Sequence, residues 1–281
     1  MTYTSGCVEP EEQSAHGKGL KVHLREVAVA GYSYRIVTLR PATTARFSTN
    51  RFHDTWHILT DREGAFVLAR LLWGLSFQRM AGTAVLIDGA HLVPTPFDAE
   101  RADPILLVPA GLTRVDADRL GLLRKSLRRP AQGTTIRWHT FGLPRAFAGG
   151  IDFRSFRYRE AREQSAQERA EKLGGFVCYS APPAILRAQA LAIYGMRECE
   201  SMTYRYLAEA SDRAGWHPNA EVQVFREFRD MVSVATVARR CVVGTQARIR
   251  THVERQAVYE QAALVGERMR SARRRQKDGR A

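Results

Sequence analysis

Two neighbouring runs near the start of the chain, Lys21–Ala28 and Tyr32–Leu39, limit what it can fold into more than any other feature. The first places Val22 and Leu24 on one face, and the second is rich in aromatic and β-branched residues. Strand side chains alternate between faces with a period of two, so two such runs joined by the short Val29-Ala30-Gly31 link read as an antiparallel hairpin. Pro41 ends the second run, since proline has no N–H to give to a strand ladder. A chain that opens on a hairpin needs more strands, and helices to cover them.

The following residues supply both. Thr55–Leu59, Ala84–Ile87, His91–Val93, Ile105–Val108 and Thr134–Phe141 read as short strands, and Asp88-Gly89 is the strongest tight-hairpin signal. Thr60 and Glu63 have capping-box spacing, and Phe66, Ala69, Arg70, Trp73 and Phe77 recur at helical intervals until Gly82. Thr113 and Asp116 suggest a second helix start, followed by a Leu120, Leu123, Leu127 stripe. Pro144, Gly149 and Gly150 mark a boundary near residue 150. Beyond it, Phe156–Leu173 is charged nearly all round and reads as a solvated helix, with one strand at Phe176–Tyr179. Pro182-Pro183 opens a helix whose core face is Ile185, Ala188, Ala192 and Met196. Ser201–Ala210 reads as a short helix and Gly215, Pro218 and Asn219 as a turn. A helix with Val222, Phe225, Phe228 and Val232 on one face follows. Thr245–Arg275 is a long final helix with Ile249, Val253, Ala257 and Leu264 as its contact side.

The expected fold class is therefore α+β. A loose leader (1–19) precedes an α+β domain (20–150) with a mostly antiparallel sheet and two helices. A mainly helical region (151–267) and a basic tail (268–281) complete the chain.

Charge bears on partners. Lys and Arg number 43 against 29 Asp and Glu in 281 residues, a formal net of +14. A cationic surface draws polyanions over distances near a Debye length, roughly 8–10 Å. Most of the basic residues are Arg, whose planar fork suits phosphate, although a GC-rich genome also favours Arg. The excess is spread over both halves and peaks in the tail, which holds Arg268, Arg270, Arg273, Arg274, Arg275, Lys277 and Arg280. No apolar run approaches the ~20 residues of a membrane span. Cys7, Cys178, Cys199 and Cys241 form no Cys-x-x-Cys pair, and they read as reduced thiols of a cytoplasmic protein. Neither a P-loop, nor a Gly-x-Gly-x-x-Gly turn, nor a Gly-x-Ser-x-Gly elbow is present.

Several constellations could carry chemistry. His53 and His57 share a face on either a strand or a helix, with Asp61, Asp88 and His91 as the nearest further groups. Together they are the catalytic candidates for a metal- or acid/base-dependent phosphoester hydrolase. His53-Asp54-Thr55 also looks like half of a two-histidine phosphoesterase signature, but His139-Thr140-Phe141 does not supply the other half. Asp88 and His91 could form an acid/base pair across a turn, while Asp-Gly is equally what a type I′ turn requires. Arg124, Lys125, Arg128 and Arg129 crowd a helix end, where they could contact phosphates or simply complement the helix dipole. Arg154, Arg157 and Arg159 alternate with Phe156 and Tyr158, a mixture that suits bases and phosphates or a helix docked by its rings. With Arg270, Arg273, Arg274 and Arg275 of the tail, these are the candidate nucleic-acid contacts. The expected function is nucleic-acid binding without intrinsic catalysis, with no cofactor or metal. The alternatives are the hydrolase and a scaffold protein that pairs with itself or a partner through its C-terminal helices.

Overall fold

The computed structural model describes residues 19–129, 133–149, 167–212, 215–244, 249 and 251–278. The leader through residue 18, the 150–166 segment with Arg154, Arg157 and Arg159, and residues 279–281 lie outside them. The fold is α+β, with strands and helices interspersed along the chain.

Strands β1 (Leu20–Val29) and β2 (Tyr32–Leu39) form the expected hairpin. Its turn residues Ala30 and Gly31 both have positive φ, as a two-residue type I′ turn needs. A second hairpin, β3 (Phe47–Phe52) and β4 (Thr55–Thr60), turns at His53 and Asp54, again with both φ values positive. Helix α1 (Arg62–Leu75) follows at once. Its cap is Asp61, whose carboxylate accepts from the Gly64 N–H at 2.8 Å, and Thr60 instead closes β4 by donating to the Arg46 carbonyl. Next come β5 (Thr83–Ile87), a 3₁₀ turn at Gly89–His91, and β6 (Ile105–Pro109). Gly82 enters β5 at φ +77°, and a Cβ there would lie 2.1 Å from the Ser33 carbonyl oxygen, so only glycine fits. Asp88-Gly89 makes no hairpin with 91–93. The antiparallel partner of β5 is β6, and Leu92 makes a single bridge to Phe47.

Helix α2 (Ala117–Leu127) is capped by Asp116, which accepts from the Arg119 N–H at 2.8 Å. Then come β7 (Thr134–Trp138), the short α3 (Leu143–Ala148), β8 (Arg169–Leu173) and β9 (Phe176–Ala181). Helix α4 (Pro183–Gly195) precedes β10 (Met202–Asp212), β11 (Gly215–Phe225), α5 (Phe228–Val243) and α6 (His252–Asp278).

The expectation of a mainly helical C-terminal half is corrected by β8, β10 and β11, which form ladders where helices and a turn are expected. Both sheets draw on both sides of residue 150. The seven-stranded sheet runs β7-β1-β2-β5-β6-β9-β8 and the four-stranded sheet β10-β11-β4-β3. Both are mixed: among the described residues six of the nine strand pairings are antiparallel, as expected for most of the sheet, while β2–β5, β6–β9 and β11–β4 pair in parallel. One face of the large sheet (Val37, Val85, Ile87, Leu107) meets α1 and α4, which also pack on Phe47, Ile58, Val222 and Val224 of the small sheet. The other face (Ile36, Ala84, Leu86, Leu106, Val108) is covered by Leu120 and Leu123 of α2. Burying each such aliphatic side chain contributes roughly 1.5–3 kcal/mol, so this double-sided sheet is the stable centre. Helices α5 and α6 pair through a separate small cluster of Ala238, Val258 and Val265. The expected contact side of α6 is rotated from this, as Val253 is 76% and Leu264 51% exposed. Among the described residues no helix is long and apolar enough to cross a membrane.

Candidate functional site

Strand register brings distant charges to one end of the large sheet. β5 and β6 are antiparallel with Ile87 opposite Ile105, so Asp88 leaves the sheet where Asp103 and Pro104 enter it. β6 runs parallel to β9 with Ile105 beside Val177, and Val177 faces Lys172 across the β8–β9 hairpin. The C-terminal end of α2 lies against the same end, held by its leucines on the sheet. Together with the 92–104 segment and Arg239 of α5, these elements enclose a groove of about 940 Å³.

The groove is cationic. Its basic lining comprises Arg101, Arg124, Arg128, Lys172 and Arg239, and its acidic lining Asp88, Glu100 and Asp103. Two of the cations are neutralised in place: Lys172 lies 2.6 Å from Asp103, and Arg239 lies 3.1 Å from Glu100. Arg101, Arg124 and Arg128 make no ion pair or hydrogen bond among the described residues.

The basic end of α2 divides into two rows. Arg124 and Arg128, one turn apart, line the large groove. Lys125 and Arg129 line two smaller depressions of about 560 and 340 Å³ against β1, Arg129 bordering both. None of the four is needed to satisfy the helix end. That role falls to Arg25 of β1, which donates to the Ser126 and Leu127 carbonyls at 3.1 and 3.2 Å.

Asp88 is half-buried in the groove wall. It precedes the 3₁₀ turn at Gly89–His91 but makes no capping bond, and its carboxylate has no hydrogen bond among the described residues. Burial raises its pKa above the ordinary carboxylate value, partly offset by nearby His91. His91 is itself buried, with an unpartnered Nδ1, and burial holds its imidazole below the ordinary value.

The other catalytic candidates stand elsewhere. His53 sits in the β3–β4 turn at φ +47°, exposed, with its ring stacked on Phe52 at 3.9 Å. The turn takes it out of the strand, so it does not share a face with His57 as a continuous strand would require. His57 is buried in β4, with Nδ1 2.7 Å from Asn50 Oδ1 and Nε2 3.1 Å from Glu221 Oε1. Asp61 caps α1 and pairs with Arg229 at 2.8 Å. Of the five, only Asp88 and His91 are brought together. Among the described residues, no group of three or more His, Cys, Asp or Glu could hold a metal ion. Arg268, Arg270 and Arg275 are exposed on α6. The side chains of Arg273 and Arg274 lie outside the described residues.

Sequence reading misses Arg101, Lys172, Arg239 and Arg25 as members of this site. No local pattern marks them, because they come from separate strands, a helix and a loop that meet only in the folded chain. The chain matches no family model, no curated protein and no solved structure.

Proposed function

We propose that this protein binds nucleic acid through its arginine-rich surface, without chemistry of its own. The observation that carries the reading is the pair Arg124 and Arg128: one turn apart, lining the large groove, unpaired among the described residues, and relieved of helix capping by Arg25. Unpaired guanidinium groups at a groove suit phosphate oxygens, which they can bind two-pronged. Exposed Arg268, Arg270 and Arg275 offer further contacts along α6. The reading includes a cytoplasmic setting, where Cys178, Cys199 and Cys241 stay as free thiols.

Fluorescence anisotropy with labelled single-stranded and duplex oligonucleotides tests it over a salt series. Log affinity should fall linearly with log salt, and R124Q/R128Q should flatten that slope by roughly two units, one per lost phosphate contact. Removal of residues 268–281 should flatten it further. Absence of binding at low salt defeats the reading.

A further inference from the structure

The large groove holds opposite charges that do not neutralise one another. Among the described residues, Arg101, Arg124 and Arg128 have no carboxylate partner, and the Asp88 carboxylate, although near His91, has no ion pair and accepts no hydrogen bond. The other acids of the groove are engaged, Glu100 by Arg239 and Asp103 by Lys172. Asp88 and the arginines stand on separate elements: Asp88 follows the end of β5, and Arg124 and Arg128 lie on α2, whose Leu120 and Leu123 are buried against the sheet.

An unpaired carboxylate beside phosphate-seeking arginines weakens the hold on a bare polyphosphate. It strengthens the hold on a ligand that brings both a phosphate and hydrogen-bond donors. An ionised carboxylate is acceptor-only, with two oxygens side by side. Guanine is the base whose pairing edge offers two adjacent donors, N1–H and the N2 amino group. Cytosine and adenine each offer one amino group, and uracil a lone N–H between two carbonyls. Such an edge is free only in a single strand. Space and approach fit as well. The volume, about 940 Å³, lies within the range of ligand sites. Leu92, Val93 and Leu127 give the groove apolar lining for a base. Gly89, next to Asp88, has open space where a side chain would stand, so a ring can come close to the backbone.

Resting on the nucleic-acid reading above, we infer that this groove seats a guanine nucleotide of a single strand, with Asp88 accepting from the base edge and Arg124 and Arg128 holding its phosphates. Asp88 is then the specificity-determining residue, and the arginines supply affinity common to all sequences.

The test uses the full chain at low salt and labelled uridine hexamers carrying G, inosine, A or U at one central position. The G hexamer should bind about tenfold tighter than the all-U hexamer, the scale of one good two-pronged base contact. Inosine, which lacks only the N2 amino group, should lose most of that advantage without any change to the protein. D88N should bring G and U to the same affinity and tighten binding of the all-U hexamer, because a charge that repels phosphate is gone. R124Q/R128Q should weaken all four hexamers by the same factor. Equal binding of G, inosine and U by the unmodified protein overturns the guanine seat and leaves general nucleic-acid binding standing. So does a preference that survives in D88N. If no hexamer binds, the guanine seat falls, and the nucleic-acid reading falls with it only when the longer single-stranded and duplex oligonucleotides also fail to bind at low salt.

Discussion

Glu221 is the residue whose surroundings most clearly govern its charge. Its carboxylate is nearly enclosed on β11 and meets His57 Nε2 at 3.1 Å, with a second hydrogen bond from Gln223. Burial alone would raise its pKa, but the bonds from His57 and Gln223 and the charge of His57 outweigh it, so the group lies below the ordinary value of 4.5. A carboxyl depressed in the folded state adds stability that is fully present above its unfolded value and is lost as pH falls through the folded one. Glu221→Gln should therefore cost about 2 kcal/mol at neutral pH, the scale of a hydrogen bond to a charged group. The gap between variant and parent should close in acid, below the ordinary carboxylate range, and calorimetric melting across pH reads it. The same residues explain why the His53/His57 pairing was half legible. His57 does sit on a strand as its neighbours suggest, but a two-residue turn takes His53 away. Besides Asn50 across the hairpin, His57 has the partner Glu221, which is 164 positions along the chain and comes beside it only through the parallel β11–β4 pairing.

At the scale of elements, α2 depends on a strand for its finish. Arg25 supplies donors to the last carbonyls, so Arg25→Ala should fray the final turn. The expected cost is about 1–2 kcal/mol, reduced from two full charge-assisted bonds by partial exposure. Hydrogen exchange at residues 123–127 should quicken while β1 stays protected, and urea melts give the stability. Elements whose local preference agrees with their tertiary setting are the ones the residues announce: β1, β2, β5, β6, α1 and α4 stand close to where their apolar periods and caps place them. The misread elements carry conflicting signals. β8 is Arg169-Ala170-Glu171-Lys172-Leu173, a run of good helix formers that becomes a strand by pairing with β9. In β10, Leu207 and its helix-favouring neighbours obscure the alternation of Tyr204 and Tyr206. In β11, Val222 and Phe225 fit a helical interval as well as a strand, and burial of Ala220, Val222 and Val224 settles the period at two. The groove was legible in its α2 wall and in Asp88, named as a catalytic candidate, but not as one site, because nothing within reach of a sequence window joins Lys172 or Arg239 to Asp88.

Over the whole molecule, ion pairs tie the α5–α6 pair to the start of α1 and to the 92–104 segment. Arg229 meets Asp61 and Glu63, Arg239 meets Glu100, and Arg255 meets Asp98, at 2.8–3.1 Å. Arg229 and Arg255 are about half exposed and open to screening, while Arg239 is 13% exposed and sheltered from it. Rising salt should therefore speed hydrogen exchange in α6 well before β6, and an equal response in both would contradict this attachment. The small sheet carries a consequence for how the protein is made. β4 leaves the ribosome early, but its parallel neighbour β11 follows about 160 residues later, a wait on the order of 10–30 s at ordinary rates of synthesis. During translation the nascent β3–β4 hairpin keeps an edge open to mispairing until the C-terminal strands arrive.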